Sequence, residues 1–411
     1  MKSFSEFSLS AVLKTNLSDH GFKEPTAVQA QAIEPALAGR DLVATAQTGT
    51  GKTLAFVLPI IQLLENEPPR SGVRAVILSP TRELAIQIHE TFAQMAAGTS
   101  VRAAVVIGGL NERKQLQAIG KGAQVLIATP GRLYDFLSRG LVQLSKVRIL
   151  VLDEADRMLD MGFLPTIKRI MATIPAERQI MLFSATIETS VKHLVETHVR
   201  GAVRVEVGSI TKPVAKIDLH LYEVEPDRKL GLLQMMLREE SGSFLVFTRT
   251  KHGADRLSRK LSHDGLKTAA IHGNRSQNQR NQALRGFQDG YYRVLVATDI
   301  AARGIHVDGI SHVVNYDLPQ VAEDFIHRVG RTGRAGATGI ASTFATRGER
   351  ADIAQIERLL AVRLVRRPVP GDIAREQKSP APMIVIPTAS PRTQRFTRSF
   401  APRKRQVRRV V

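Results

Sequence analysis

Arg148-Ile149-Leu150-Val151-Leu152-Asp153-Glu154-Ala155-Asp156 ends an apolar run on a cluster of carboxylates. A short run of this kind reads as a buried strand, so the carboxylates cap its carboxyl end rather than decorate a loop. A metal ion and a water molecule are the partners they suit. Upstream, Asp41-Leu42-Val43-Ala44 leads into Ala46-Gln47-Thr48-Gly49-Thr50-Gly51-Lys52-Thr53 and then a helical stretch. In such a glycine-rich turn the backbone N–H groups wrap phosphate oxygens, the lysine reaches the outer phosphates and Thr53 can ligate magnesium. The two motifs together point to nucleotide hydrolysis.

Outward from them, β-branched runs at 41–46, 74–79, 103–107, 124–128, 148–152 and 180–183 alternate with amphipathic stretches. This alternation predicts an α/β fold, a parallel sheet covered on both faces. The pattern pauses at Gly208-Ser209-Ile210-Thr211-Lys212-Pro213 and then resumes with runs at 244–247, 269–271, 293–296, 312–314 and 340–344. Two α/β domains in tandem are expected, 31–207 and 217–366, with a linker at 208–216 and a lead-in region at 1–30. From about Arg367 the periodicity fails and Pro, Ser, Thr and Arg dominate. Such a composition buries too little apolar surface to offset chain entropy, so 367–411 is expected to be a basic tail, disordered from 379 onward.

The chain has 411 residues, too many for one ordinary core. It contains no cysteine, which excludes disulfides and thiolate metal sites and fits a reducing cytoplasm. No apolar stretch approaches the roughly 20 residues that span a bilayer, and the amino terminus lacks a signal-peptide core. A formal charge of +20 calls for a polyanionic neighbour, with nucleic acid the first candidate. The tail contributes Arg392, Arg395, Arg398, Arg403, Lys404, Arg405, Arg408 and Arg409 without any Asp or Glu.

With these motifs in this order, residues 4 to 345 resemble a DEAD-box RNA helicase, and Phe247-Thr248-Arg249-Thr250-Lys251-His252-Gly253-Ala254 resembles the bacterial RhlE branch. The resemblance implies two RecA-like domains, ATP and Mg2+ as ligands, and RNA as partner. Gly21-Phe22-Lys23-Glu24-Pro25-Thr26-Ala27-Val28-Gln29 matches the Q motif, in which Gln29 reads adenine and Phe22 stacks on it. Lys52 and Thr53 then hold phosphates and metal, Asp153 joins the magnesium shell, and Glu154 positions and deprotonates the attacking water. His327-Arg328-Val329-Gly330-Arg331-Thr332-Gly333-Arg334 resembles the family's last motif, with Arg331 and Arg334 as arginine fingers. Ser184-Ala185-Thr186, Asp156 and His327 would couple the closed cleft to strand separation.

The same resemblance assigns RNA contacts to Pro80, Thr81, Arg82, Gly109, Thr129, Pro130, Gly131 and Arg132 in the first domain. In the second it assigns Thr250, Gly273, Gln277, Arg280, Thr298, Asp299 and Arg303. Gly304 joins the nucleotide site, but after Ala302-Arg303-Gly304-Ile305 the family most often has an aspartate for the ATP ribose, and here stands His306. The expected activity is ATP-driven opening of short RNA duplexes or remodelling of ribonucleoprotein by a cytoplasmic monomer. Ribosome-assembly or RNA-degradation proteins are the expected partners of the tail. A non-catalytic RNA clamp and a processive DNA translocase are the rival expectations.

Overall fold

Short, wholly buried apolar runs such as Ala75–Leu78, Val125–Ala128, Ile149–Leu152, Phe244–Phe247 and Val294–Ala297 build interior strands, as expected where helices cover both faces of a parallel sheet. The structure, a computed structural model, describes residues 3–46, 50–67, 72–187, 189–207, 217–302, 307, 309–319, 322–333, 338–359 and 361–376. Gln47, Thr48, Gly49, Arg303, Gly304, His306, Arg334, the linker 208–216 and the tail from 377 lie outside the described residues.

The first half contains β1 (Leu42–Ala46), β2 (Ala75–Leu78), β3 (Ala103–Val106), β4 (Val125–Ala128), β5 (Ile149–Leu152), β6 (Gln179–Ser184) and β7 (Val203–Val207). They form one parallel sheet in the order β3-β4-β2-β5-β6-β1-β7. The second half contains β8 (Ile217–Glu223), β9 (Phe244–Phe247), β10 (Thr268–Ile271), β11 (Val294–Ala297), β12 (His312–Asn315), β13 (Gly339–Ala345) and β14 (Val365–Arg367). Its order, β10-β11-β9-β12-β13-β8-β14, repeats the first strand for strand. Each half is a RecA-like domain.

Hydrophobic side chains fill both faces of each sheet. In the first domain Phe56 and Phe183 meet at 5.2 Å between ring centroids, tying the helix Lys52–Glu65 to β6. Helix starts are set by side-chain caps: Thr81 accepts from the Leu84 amide at 3.3 Å, and Thr250 accepts from the Gly253 amide at 3.0 Å. These hydroxyls satisfy amides that lack an intrahelical partner.

Three strands depart from the run-based expectation. β7 and β8 read Val203-Arg204-Val205-Glu206-Val207 and Ile217-Asp218-Leu219-His220-Leu221-Tyr222-Glu223. Apolar and polar residues alternate there because one face is solvated, so no continuous apolar run marks them. β14 lies at the outer edge and pairs with β8, Val365 opposite His220. Packed structure also continues past residue 366, since Ile373 is 8% exposed and packs on the second domain's core.

Candidate active site and RNA interface

β6 lies between β1 and β5, with Thr45 opposite Ser184 and Leu182 opposite Leu152. The carboxyl ends of three adjacent strands therefore bring the phosphate loop, Ser184-Ala185-Thr186 and Asp153-Glu154-Ala155-Asp156 to one rim. This is where open α/β sheets bind ligands.

Gly51 opens the helix Lys52–Glu65 with φ +82°, and a Cβ there would stand 2.5 Å from Gln29 Nε2. Glycine is required on both counts. Gln29 is 3% exposed; its Oε1 accepts from the Thr26 amide at 2.8 Å and its Nε2 donates to the Gly51 carbonyl at 2.9 Å. It thus closes a capping box and braces the phosphate loop, a role carried by the Thr26-x-x-Gln29 spacing. A second lone pair and a second N–H remain for a base edge. Phe22 stands nearby in sequence with its ring 36% exposed.

Lys52 and Asp153 are 7% and 3% exposed, and neither Lys52 Nζ nor Asp153 Oδ1 has a hydrogen-bond partner among the described residues. Burial pushes the Asp153 carboxyl up to about 7, with the Lys52 ammonium pulling the other way. Unpaired buried groups of opposite charge are costly unless something is meant to stand between them. Phosphate oxygens at Lys52, and a divalent cation at Asp153 and the Thr53 hydroxyl, would meet that need.

Glu154 sits in the left-handed region at φ 50° and ψ 54°, an uncommon conformation for a residue with a side chain. That turn follows β5 directly and starts the helix Ala155–Asp160. Arg157, three residues on and 4% exposed, bonds the Glu154 carboxylate. Sequence reasoning missed Arg157, although the i, i+3 spacing carries the signal. Asp156 Oδ2 accepts from the Ala185 and Thr186 amides, both at 2.9 Å, and its own amide donates to Ser184 Oγ at 3.2 Å. The carboxylate cluster and the Ser-Ala-Thr turn are therefore one hydrogen-bonded unit.

The second domain faces this unit. Arg157 shares a small crevice with Asp324, His327 and Arg331. Arg331 is 2% exposed, and its Nε donates to the His327 carbonyl at 3.1 Å. Arg328, also missed from sequence, is fully buried and bonds Asp299 through Nε at 2.5 Å and a terminal nitrogen at 2.7 Å. It further reaches the Asp317 carbonyl at 2.6 Å and lies over Phe247. Arg328 thus anchors the start of the helix Asp299–Ala302.

His327 is held down at about 4, first by desolvation and then by Arg157 and Arg331, against the pull of Asp156 and Glu154. The folded state therefore binds this proton less readily than the unfolded state. The stability from neutral His327 is present above the unfolded value of about 6.5 and is lost as pH falls toward 4. Between pH 7 and 5 the urea midpoint of the parent should fall more steeply than that of His327→Gln, by about 1 kcal/mol or more in stability. Parallel pH profiles would contradict this.

The residues assigned to RNA fall into several settings. Thr81, Thr129 and Thr250 are helix N-caps, Pro130 and Gly131 begin the helix Pro130–Ser138, and Pro80, Gly273 and Thr298 lie in loops. Gly109 has φ +80° and lies against the Arg82 guanidinium. Arg132 is paired with Asp135 at 2.8 Å and Glu112 at 3.4 Å, and it caps the Phe136 ring. Gln277 and Arg280 cross to the first domain: Gln277 Nε2 donates to Glu83 Oε1 at 2.8 Å, and Arg280 pairs with Glu83 Oε2 at 3.0 Å. Arg82 completes the cluster, 3.5 Å from Gln277 Oε1.

Glu83 thus fastens the domains together from beside the RNA positions. Glu83→Ala should lower RNA-stimulated ATP turnover roughly tenfold or more, given the strength of charge-assisted bonds. Nucleotide affinity without RNA should stay the same. An unaltered rate at saturating RNA would show that Glu83 plays no part in closure.

Residues 26–194 match the DEAD/DEAH box helicase family and residues 228–336 match the helicase conserved C-terminal domain. The ATP-dependent RNA helicase RhlB of Pseudomonas syringae pv. tomato is 40% identical over 337 residues, covering 80% of this chain and 85% of that protein. Vasa of Drosophila melanogaster, also an ATP-dependent RNA helicase, is 41% identical over 333 residues, but this chain spans only 50% of its length. S. cerevisiae Dbp5 bound to RNA and ADP BeF3 superposes with a TM-score of 0.80 at 32% identity, covering 90% of this chain and 96% of that one. A Dbp5 variant bound to Nup159, a Gle1 variant, IP6 and ADP superposes at 0.59.

Two parallel α/β domains, one carrying the glycine-rich phosphate-loop motif and the other placing Arg331 beside Arg157 where the domains meet, define a tandem RecA-like protein. The chain belongs to the DEAD-box family of ATP-dependent RNA helicases.

Proposed function

We propose that this chain hydrolyses ATP in response to RNA and uses closure of its two domains to open short duplexes or remodel ribonucleoprotein. The observation that carries this is that one domain buries Lys52 Nζ and Asp153 Oδ1 without hydrogen-bond partners among the described residues, while the other buries Arg331 beside Arg157 where the domains meet. Lys52 binds the β- and γ-phosphates, with Ala46 to Thr53 wrapping them and Gln29 and Phe22 taking the base. Thr53 and Asp153 would hold Mg2+, which neutralises phosphate charge and orients the terminal phosphoryl group. Glu154, fixed by its strained turn and by Arg157, aligns the attacking water and accepts its proton. Arg331, with Arg334, stabilises charge on the transferring group, so hydrolysis waits for closure.

RNA is held through its sugar-phosphate backbone at the positions from Pro80 to Arg132 and from Thr250 to Arg303 given above, which suits a sequence-blind motor. The RhlE-branch assignment rests on Phe247 to Ala254. We assign domains at 31–207 and 217–366, the second extended by the packed residues to 376. No helix among the described residues is long and apolar enough to cross a membrane. Action as a cytoplasmic monomer, with ribosome-assembly or RNA-degradation proteins docking on the tail, belongs to the same proposal.

Comparing ATP turnover stimulated by RNA and by DNA of equal length tests this directly. Strong stimulation by RNA alone is expected; equal stimulation would indicate a DNA-competent translocase, and none a passive clamp. Deletion of 379–411 should flatten the dependence of log affinity on log salt by up to about 0.7 for each RNA phosphate the tail neutralises. An unchanged slope would assign the tail to a protein partner.

A further inference from the structure

The second domain carries, along the helix Gln277–Gln288, a groove of about 650 Å³ that none of the sites above uses. Its wall is one stripe of the helix Gln277–Gln288, with Asn278, Asn281, Gln282 and Arg285 spaced to share a face. Its far end is formed by Tyr291 and Tyr292, which meet edge to face at 4.9 Å. Tyr291 is 58% exposed, while large apolar rings elsewhere in the described chain are mostly buried. One edge of the Tyr292 ring closes on the helix at Gly286: a Cβ there would stand 2.6 Å from the ring, so glycine at that position makes room for it. Lys267 Nζ lies 4.7 Å from the Tyr291 centroid, and Asp289 is the one carboxylate among the lining residues.

We propose that this groove is a second RNA-binding site that takes one or two unpaired nucleotides of a strand leaving the interdomain cleft. Each component has a matching chemistry in single-stranded RNA. An exposed tyrosine offers a stacking surface to any base, side-chain amides offer a donor and an acceptor to base edges, and Arg285 and Lys267 offer cations to phosphates. A groove lined by three amides and Arg285, with Lys267 beside Tyr291, is poorly suited to an apolar peptide. Its volume lies within the range of roughly 300–1,000 Å³ common for small-ligand clefts.

Continuity with the cleft is the second support. Gln277 Nε2, which donates to Glu83 across the domain boundary, also donates to Asn281 Oδ1 at 3.0 Å. The head of the groove is thus hydrogen-bonded to the cluster that fastens the closed state. A strand held in the groove would pull on the same helix that meets the first domain.

This inference rests on the RNA-helicase function proposed above, and its test separates the two. Affinities of the full-length protein for oligouridines of about 6 and about 20 nucleotides are measured with a non-hydrolysable ATP analogue present. The shorter strand fills the cleft, and the longer also reaches the groove. For Tyr291→Ala the ratio of long-strand to short-strand affinity should fall roughly 5- to 150-fold, which is what one base stack is worth. Tyr291→Phe should retain the parent ratio, because the ring rather than the hydroxyl provides the surface. A parent ratio preserved in Tyr291→Ala overturns the proposal and leaves the groove to a protein partner or to none. Failure of the parent to bind either oligouridine overturns the RNA-helicase function together with the groove.

Discussion

Glu154→Gln should abolish steady-state ATP hydrolysis, lowering turnover by roughly 10²–10⁴-fold, while the protein still binds ATP and RNA. The substitution keeps size and hydrogen-bonding capacity, so the left-handed turn and the bond to Arg157 can persist. What disappears is the carboxylate proposed to accept the water proton. With hydrolysis blocked and closure intact, the variant should accumulate as a long-lived complex with ATP and RNA. Lys52→Ala is the informative contrast, since it removes the cation for the outer phosphates and should lose nucleotide affinity itself. The check is turnover beside RNA dissociation in the presence of ATP. Turnover of Glu154→Gln within a few-fold of the parent would remove Glu154 from its role.

The second large effect is expected at Arg331. Removing a cation supplied across a domain boundary to a phosphoryl-transfer site should cost about 10³-fold in RNA-stimulated turnover. Arg331→Ala truncates a side chain that is 2% exposed and bonds the His327 carbonyl through its own Nε, so some stability is lost too. The decisive comparison is RNA affinity without nucleotide, which should remain close to the parent value. If RNA affinity falls and turnover at saturating RNA does not, Arg331 is a phosphate ligand for RNA.

How far the sequence anticipates these features depends on what each signal measures. Buried parallel strands such as Ile149–Leu152 and Val294–Ala297 are unbroken apolar runs, and their positions are legible to within a residue or two. β7, β8 and β14 are not, because solvated strands alternate or carry charge, and Val365-Arg366-Arg367 looks like tail until β8 is seen to pair with it. Residue types at the rim are legible because nucleotide chemistry restricts them: glycine at 51, lysine at 52, carboxylates at 153 and 154. Their supports are less so. Arg157 and Arg328 are ordinary cations in a basic chain until folding places one on Glu154 and the other on Asp299. Gln277 and Arg280 read as RNA ligands from motif position alone, whereas their bonds to Glu83 depend on how two domains meet.

Closure of the two domains by ATP and RNA acting together is most directly measured by energy transfer between one dye on each domain. The chain has no cysteine, so a single thiol introduced on an exposed position of each domain labels it without background. High transfer is predicted with RNA and a non-hydrolysable ATP analogue together, and low transfer with either alone or after hydrolysis to ADP. Transfer that responds equally to nucleotide alone, or does not change at all, would contradict closure as the step that joins Arg331 to the phosphate loop.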